Sequence, residues 1–273
     1  MRELLQSALM NSVDRVFATM PQRVPAYSAL RQCKIISHRG ENDNRQVLEN
    51  TLPAFTRARQ AGVWGIEADI RWTADLVPVV HHDPDCTRLF GDPALLGSLT
   101  FTQLRDRFPL IPSLQELLLE FGGNTHLMLE IKSEHYPQPD RQKSILQAML
   151  SPLCAGKDYH FLLLDPGLAQ HVDFQPREVS ILVAELNIKR LSNHSLQHGF
   201  GGLSGHYLLM NKTLLARHAN AKQCIGTGFI HSRNALFREL NRGVEWIFSN
   251  RAVHIQGVLD HYLAAANPGE QTA

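Results

Sequence analysis

The feature that most constrains this chain is an alternation. Eight short β-rich runs recur along it, at residues 34–38, 64–71, 126–131, 160–164, 180–185, 206–209, 222–226 and 245–249. Helical stretches lie between most of them. Residues 51–61 are the clearest: Pro53 stands near the first turn, Leu52, Phe55 and Ala58 are apolar, and Gly62 is a stop. Ser113 and Glu116 have capping-box spacing before a leucine-rich stretch that runs to Phe121. Residues 210–221 and 234–241 also read as helices, the latter stopped by Gly243. Eight strands separated by helices within 273 residues predict an α/β fold, a (β/α)8 TIM-like barrel. The rival is an open doubly wound sheet, but no Gly-x-Gly-x-x-Gly follows the first run.

Two segments stand outside this rhythm. Residues 83–112 lack a strong period and read as an insertion after the second strand, over one end of the barrel. Residues 1–20 carry a helical stripe of Leu5, Leu9, Val13, Val16, Phe17 and Met20, followed by a linker marked by Pro21 and Pro25. A helix packed under the barrel is the plain reading of the stripe, and a homo-oligomer contact or a membrane-surface helix are its alternatives. The division is therefore 1–30 for helix and linker and 31–273 for the barrel domain.

Composition narrows the partners. Lys and Arg number 27 and Asp and Glu 26, a balance that argues against a general nucleic-acid or anionic-membrane binder. No apolar run approaches the roughly 18 residues of a transmembrane helix. The four cysteines are scattered, with no Cys-x-x-Cys, so neither a disulfide scaffold nor a zinc site is expected. With no signal peptide visible, the expectation is a cytoplasmic protein.

In such a barrel the chemistry sits at the C-terminal ends of the strands. The first run leads into His38-Arg39-Gly40, the second into Glu67-Ala68-Asp69 and the third into Glu130-Ile131-Lys132. A hairpin-like return, residues 76–80, ends in His81-His82-Asp83. Residues two apart on a strand share a face, so Glu67 and Asp69 point the same way, and so do Glu130 and Lys132. Three converging carboxylates repel one another unless a cation joins them, and an all-oxygen set suits Ca²⁺ or Mg²⁺ better than zinc. Three carboxylates and a divalent cation leave one negative charge, which Arg39 and Lys132 turn into one positive. A phosphodiester anion would neutralise it. Of the 14 histidines, His38 and His82 fall at strand ends beside the acids, where two rings can serve as general acid and general base. His81 should face the opposite way from His82. His126, His160 and His206 are placed at strand starts, away from the chemistry.

These residues together resemble the glycerophosphodiester phosphodiesterase family. The family pattern stands here as His38-Arg39-Gly40, Glu49-Asn50-Thr51, Glu67-Ala68-Asp69, His82-Asp83 and Leu129-Glu130-Ile131-Lys132, in order and at family-like spacing. Ile111-Pro112-Ser113-Leu114-Gln115-Glu116 is similar to a further family segment. The specific match covers 34–132, and the later chain resembles the family mainly in rhythm.

The resemblance implies a divalent cation, Ca²⁺ or Mg²⁺, held by Glu67, Asp69 and Glu130. It implies His38 and His82 as the acid/base pair, with Arg39 and Lys132 on the phosphate oxygens. Glu49 would fix His38 or Arg39 near the substrate, while Asn50 and Asp83 would fix loops. The implied reaction is hydrolysis of a small-molecule glycerophosphodiester to glycerol 3-phosphate and an alcohol. A cyclic-phosphate-forming phospholipase-type lyase and a non-catalytic phosphodiester-binding barrel are the alternatives. Where the family often has Trp-Thr-Val-Asn, this chain has Gly228-Phe229-Ile230-His231. A pocket open on that side is therefore expected, unless Phe229 takes the place of the missing ring.

Overall fold

The first β-rich run becomes β1 (Lys34–His38), and it pairs with neighbours on both sides. The computed structural model describes residues 15–266. After β1 come β2 (Gly65–Trp72), β3 (Pro78–Val80), β4 (His126–Ile131), β5 (Tyr159–Leu163), β6 (Ser180–Ala184), β7 (Gly202–His206), β8 (Cys224–Gly228) and β9 (Trp246–Ser249). The sheet order is β1-β9-β8-β7-β6-β5-β4-β2-β3, and β1 also pairs with β2. All strands except β3 are parallel, so eight of them close into the expected barrel. β3 is the hairpin return, antiparallel to β2 with Val80 opposite Ile70.

Local signals set the helix boundaries. Thr51 caps Leu52–Gln60 through its side chain, with proline in the first turn. Ser113 and Glu116 form a reciprocal capping box at the start of Leu114–Phe121. Alternation along the strands then builds two apolar layers. Leu127, Leu129, Phe161, Leu163, Leu203 and Ile247 belong to the larger core, which takes in the helices. Ile36, Met128, Leu162, Ile181, Trp246 and Phe248 form a second, separate cluster, the filling of the barrel itself.

The insertion is a small folded unit. It holds the helices Thr87–Phe90 and Phe101–Arg107, with Cys86, Leu96, Leu104, Phe108 and Ile111 packed around Val79. At the other end of the chain's order, residues 15–19 are helical. Phe17 meets the Tyr207 ring edge-on at 5.5 Å, while Val16 and Met20 are exposed. Leu5, Leu9 and Val13 of the amphipathic stripe lie outside the described residues. No helix of the described residues is long and apolar enough to cross a membrane.

Two strands differ from the sequence reading. The runs expected at 206–209 and 222–226 are found at Gly202–His206 and Cys224–Gly228. Both are rich in glycine, which local propensity penalises. Tertiary packing requires it: a Cβ on Gly202 would meet the Cys224 carbonyl oxygen at 2.1 Å, and one on Gly226 would meet the Phe248 ring at 2.7 Å. The shift moves His206 from a strand start to a strand end, the same end as the predicted chemistry.

Candidate active site

Strand register brings the acids together. His38 on β1 lies beside Glu67 on β2, and Asp69 lies beside Glu130 on β4. Glu67, Asp69 and Glu130 each offer an oxygen within 4.8 Å of the others. All three are buried, Asp69 completely. Lys132, which shares a face with Glu130, hydrogen-bonds that carboxylate and stands 2.7 Å from Asp69 Oδ1. Arg39 Nε approaches Asp69 Oδ2 at 3.2 Å, and Asn50 donates to the same oxygen at 2.6 Å.

The three acids do not share one electrostatic fate. Burial opposes ionisation of Asp69, but Lys132 and Arg39 outweigh it and hold the carboxyl well below the usual range. Burial raises Glu67, and the negative charges of Asp69 and Glu130 push it further, well above its ordinary value. Arg39 N–H donates to Glu67 Oε2 at 3.0 Å, yet Glu67 Oε1 is buried without a hydrogen-bond partner. A buried oxygen left unpaired costs free energy that a ligand can recover. The donor set therefore fits a hard divalent cation.

The loop after β1 explains the His-Arg-Gly triplet. Arg39 and Gly40 both have positive φ, 58° and 76°. At Gly40 a Cβ would lie 2.7 Å from Ala54 Cβ, so both the turn and the helix behind it exclude a side chain. The turn sends Arg39 Nη1 to Glu49 Oε1 at 3.0 Å. Glu49 is held in turn by Asn44 at 2.7 Å and by Arg88 at 2.6 Å. Burial raises the Glu49 pKa, but these partners reverse that and bring it down to about 2.

Each predicted histidine has a fixed ring. His38 Nδ1 bonds Asn250 Oδ1 at 2.6 Å, so Nδ1 carries the hydrogen and Nε2 keeps its lone pair, 3.8 Å from Glu67. Burial, then the Arg39 charge, lowers the His38 pKa to about 3. His82 Nδ1 donates to Asp83 Oδ1 at 2.7 Å, and the His82 carbonyl accepts from Arg71 Nε at 2.7 Å. Arg88 holds the other Asp83 oxygen at 2.6 Å, and Asp83 stays well below the usual carboxylate range. His81 turns away into the insertion, bonded to the Asp85 carbonyl at 3.1 Å and facing Phe90. A cavity of about 250 Å³ opens beside His38, Arg39, Asn42, Asn44, Glu49 and Asn250.

A glycerophosphoryl diester phosphodiesterase family model matches residues 38–196, more than half of the chain. The chain belongs to this family. Among curated relatives, bovine glycerophosphodiester phosphodiesterase 1 is 32% identical over 151 residues, and the match spans 48% of this chain and 44% of that protein. The chain thus matches less than half the length of that relative. A glycerophosphodiester phosphodiesterase of Bacillus altitudinis is 23% identical, with 82% of this chain and 98% of the relative aligned. The fold is shared with a solved Oleispira antarctica phosphodiesterase in complex with the product sn-glycerol-3-phosphate, at TM-score 0.71 and 20% identity, covering 83% of this chain and 96% of that one. The glycerophosphodiester phosphodiesterase of Thermotoga maritima gives TM-score 0.70 at 20% identity, covering 83% and 98%.

Two expectations about this family member's second half need correction. The pocket is not bare where the family often has Trp. Phe229, at φ 65°, places its ring edge-on to His38 at 5.8 Å between centroids and 6.0 Å from the His206 ring. His206 is not at a strand start. It ends β7, and its Nδ1 accepts from the Leu208 N–H at 3.2 Å. Sequence reasoning also missed Asn250 and Arg88. Asn250 follows the last strand with no motif to mark it, and Arg88 lies in a segment without periodicity.

Proposed function

We propose that this chain is a divalent-cation-dependent phosphodiester hydrolase, with glycerophosphodiesters as its substrate class. The reaction adds water across a P–O bond and yields glycerol 3-phosphate and an alcohol. The observation that carries the reading is the junction of two sets of groups. An oxygen-only buried carboxylate cluster ends 3.8 Å from a histidine whose Nε2 keeps its lone pair.

Glu67, Asp69 and Glu130 would hold the cation, Ca²⁺ or Mg²⁺. Such an ion stabilises charge on a non-bridging phosphate oxygen. Arg39 and Lys132 stand at the same carboxylates and supply the positive field that an anionic diester needs. His38 is neutral across the physiological range and accepts the nucleophile's proton at Nε2, while Asn250 keeps its ring in that orientation. His82 donates a proton to the leaving alkoxide from the ring nitrogen opposite Asp83. Asp83, itself held ionised, fixes that ring through its Nδ1–H.

Glycerophosphodiesters incubated with Ca²⁺, Mg²⁺ or EDTA and assayed for glycerol 3-phosphate test the reading. Turnover with a cation and its loss with EDTA are expected. Asp69→Asn should abolish measurable turnover and weaken cation binding in calorimetry. Undiminished turnover of that variant under chelation defeats the metal assignment.

A further inference from the structure

The insertion does more than cover one end of the barrel. Arg88, on the short helix Thr87–Phe90, spans two carboxylates that serve different parts of the site. Its Nε donates to Asp83 Oδ2 at 2.6 Å, and Asp83 Oδ1 accepts from His82 Nδ1 at 2.7 Å. Its Nη2 donates to Glu49 Oε1 at 2.6 Å, the oxygen that Arg39 Nη1 also reaches at 3.0 Å. A continuous chain of charge-assisted bonds therefore runs from Arg39 through Glu49, Arg88 and Asp83 to His82. Its ends come from different segments, the β1 loop and the β3 end, and nothing in β1–β3 pairing itself joins them.

We propose that Arg88 is a positioning residue that fixes the His82 ring and the Arg39 guanidinium relative to one another. The inference rests on the phosphodiesterase reading, which gives those two groups their roles. Two physical points support it. Guanidinium is a rigid planar fork that can hold two acceptors at a set spacing, whereas an ammonium is a point charge. Arg88 also shares the Glu49 oxygen with Arg39, so Glu49 cannot draw Arg39 wholly to itself. That leaves Arg39 charge for a phosphate.

Arg88→Met should act on two parameters. Asp83 loses its anchor, His82 gains freedom, and kcat should fall about 10–100-fold, the scale of a small misplacement of a reacting group. Glu49 Oε1 is left to Arg39 alone, while Asn44 keeps Oε2, and KM for glycerophosphodiesters should rise roughly three- to tenfold. Arg88→Lys can satisfy only one carboxylate, so it should restore kcat or KM but not both. A residue that merely stabilised the insertion would shift both parameters together with Tm. A second readout needs no turnover: the ¹⁵N signals of the His82 ring should move in Arg88→Met and move alike in Asp83→Asn. If Arg88→Met does not fold, Arg88→Gln and Arg88→Lys give the same comparison. Kinetics within twofold of wild type and unmoved His82 signals would overturn the proposal. If the wild-type protein turns over no diester with any cation, the phosphodiesterase reading fails, and the His82 signals still decide whether Arg88 positions that ring.

Discussion

The two ends of the barrel each hold a histidine whose pKa falls to about 3, the half-buried His38 at the mouth and the buried His126 at the floor. Burial is the largest cause in both. Their neighbours are otherwise unlike. His126 donates from Nδ1 to the Lys157 carbonyl at 2.8 Å and accepts from His160 Nδ1 at 2.9 Å, so both nitrogens are engaged. Its ring stacks on Trp64 at 4.0 Å, and Lys34 sits over Trp64 and Trp246 at 5.0 and 5.7 Å. At the mouth, His38 has one nitrogen engaged with Asn250 and the other beside buried carboxylates. A depressed pKa therefore does not distinguish a reactive histidine from a packed one. What distinguishes them is whether a ring nitrogen has been left for a substrate and whether charge has been assembled around it. The floor spends its polar groups on each other, and the mouth holds carboxylates in an arrangement that repels itself without a cation.

The strongest test of this contrast is to remove the mouth histidines. His38→Ala and His82→Ala should each lower kcat by about 10²–10⁴, the range for a lost general acid or base, with little change in Tm. His81→Ala should leave kcat within a few-fold and lower Tm instead, because that ring is buried in the insertion. A severe kinetic loss at His81 with a mild one at His82 would reverse the assignment.

The floor should answer in the opposite currency. Trp246 is 3% exposed and meets the rings of Trp64, His126 and His160. Trp246→Ala should cost about 3–5 kcal/mol of unfolding free energy, as for other buried aromatic truncations, while cation affinity stays near wild type. A variant that unfolds at the wild-type denaturant midpoint would show that the floor is not tightly packed.

A smaller effect comes from pH. His126 and His160 are held neutral, with pKa values lowered to about 3 and about 4, while an unfolded chain would protonate them near 6.5. Their contribution is complete above the unfolded value and is lost as pH falls from 6.5 toward the folded values. Each ring then contributes at most about 2 kcal/mol of destabilisation at pH 5. Chemical denaturation of His126→Gln at pH 7 and pH 5 should show a smaller loss between the two than wild type shows. An equal loss would mean that the floor rings already titrate in the native protein.

The mouth was far more legible in the sequence than the rest of the barrel, and the reason is physical. Glu67, Asp69 and Glu130 sit on strands of ordinary β composition, with Lys132 just past the end of β4, where alternation fixes the side each residue faces. His38, Arg39 and Gly40 stand where a turn must form. β7 and β8 carry Gly202 and Gly226 where neighbouring backbone and the Phe248 ring leave no space for a side chain. That requirement is set by residues distant in sequence, so local pattern misplaced β8 by two residues and β7 by up to four, and His206 with it. Arg88 was illegible for a related reason. Its role depends on Glu49 and Asp83 arriving from two separate segments, and its own surroundings carry no periodic signal.

Phe229 offers the finest test of the mouth, because its ring and its backbone can be separated. The ring stands edge-on to His38 and supplies an apolar wall on the side of the site opposite β4. The backbone bears φ 65°, a left-handed conformation that costs a bulky residue about 1–2 kcal/mol and glycine little. Phe229→Ala and Phe229→Gly both delete the wall, so KM for glycerophosphodiesters should rise by a similar factor in each, roughly three- to tenfold for a contact of this size. They differ in the backbone term, and the glycine variant should be more stable than the alanine variant by about 1 kcal/mol. Equal Tm values would show that the loop relaxes out of its strained turn once the ring is gone. An unchanged KM in both would remove Phe229 from the substrate's surroundings and leave the mouth, on that side, as open as the sequence suggested.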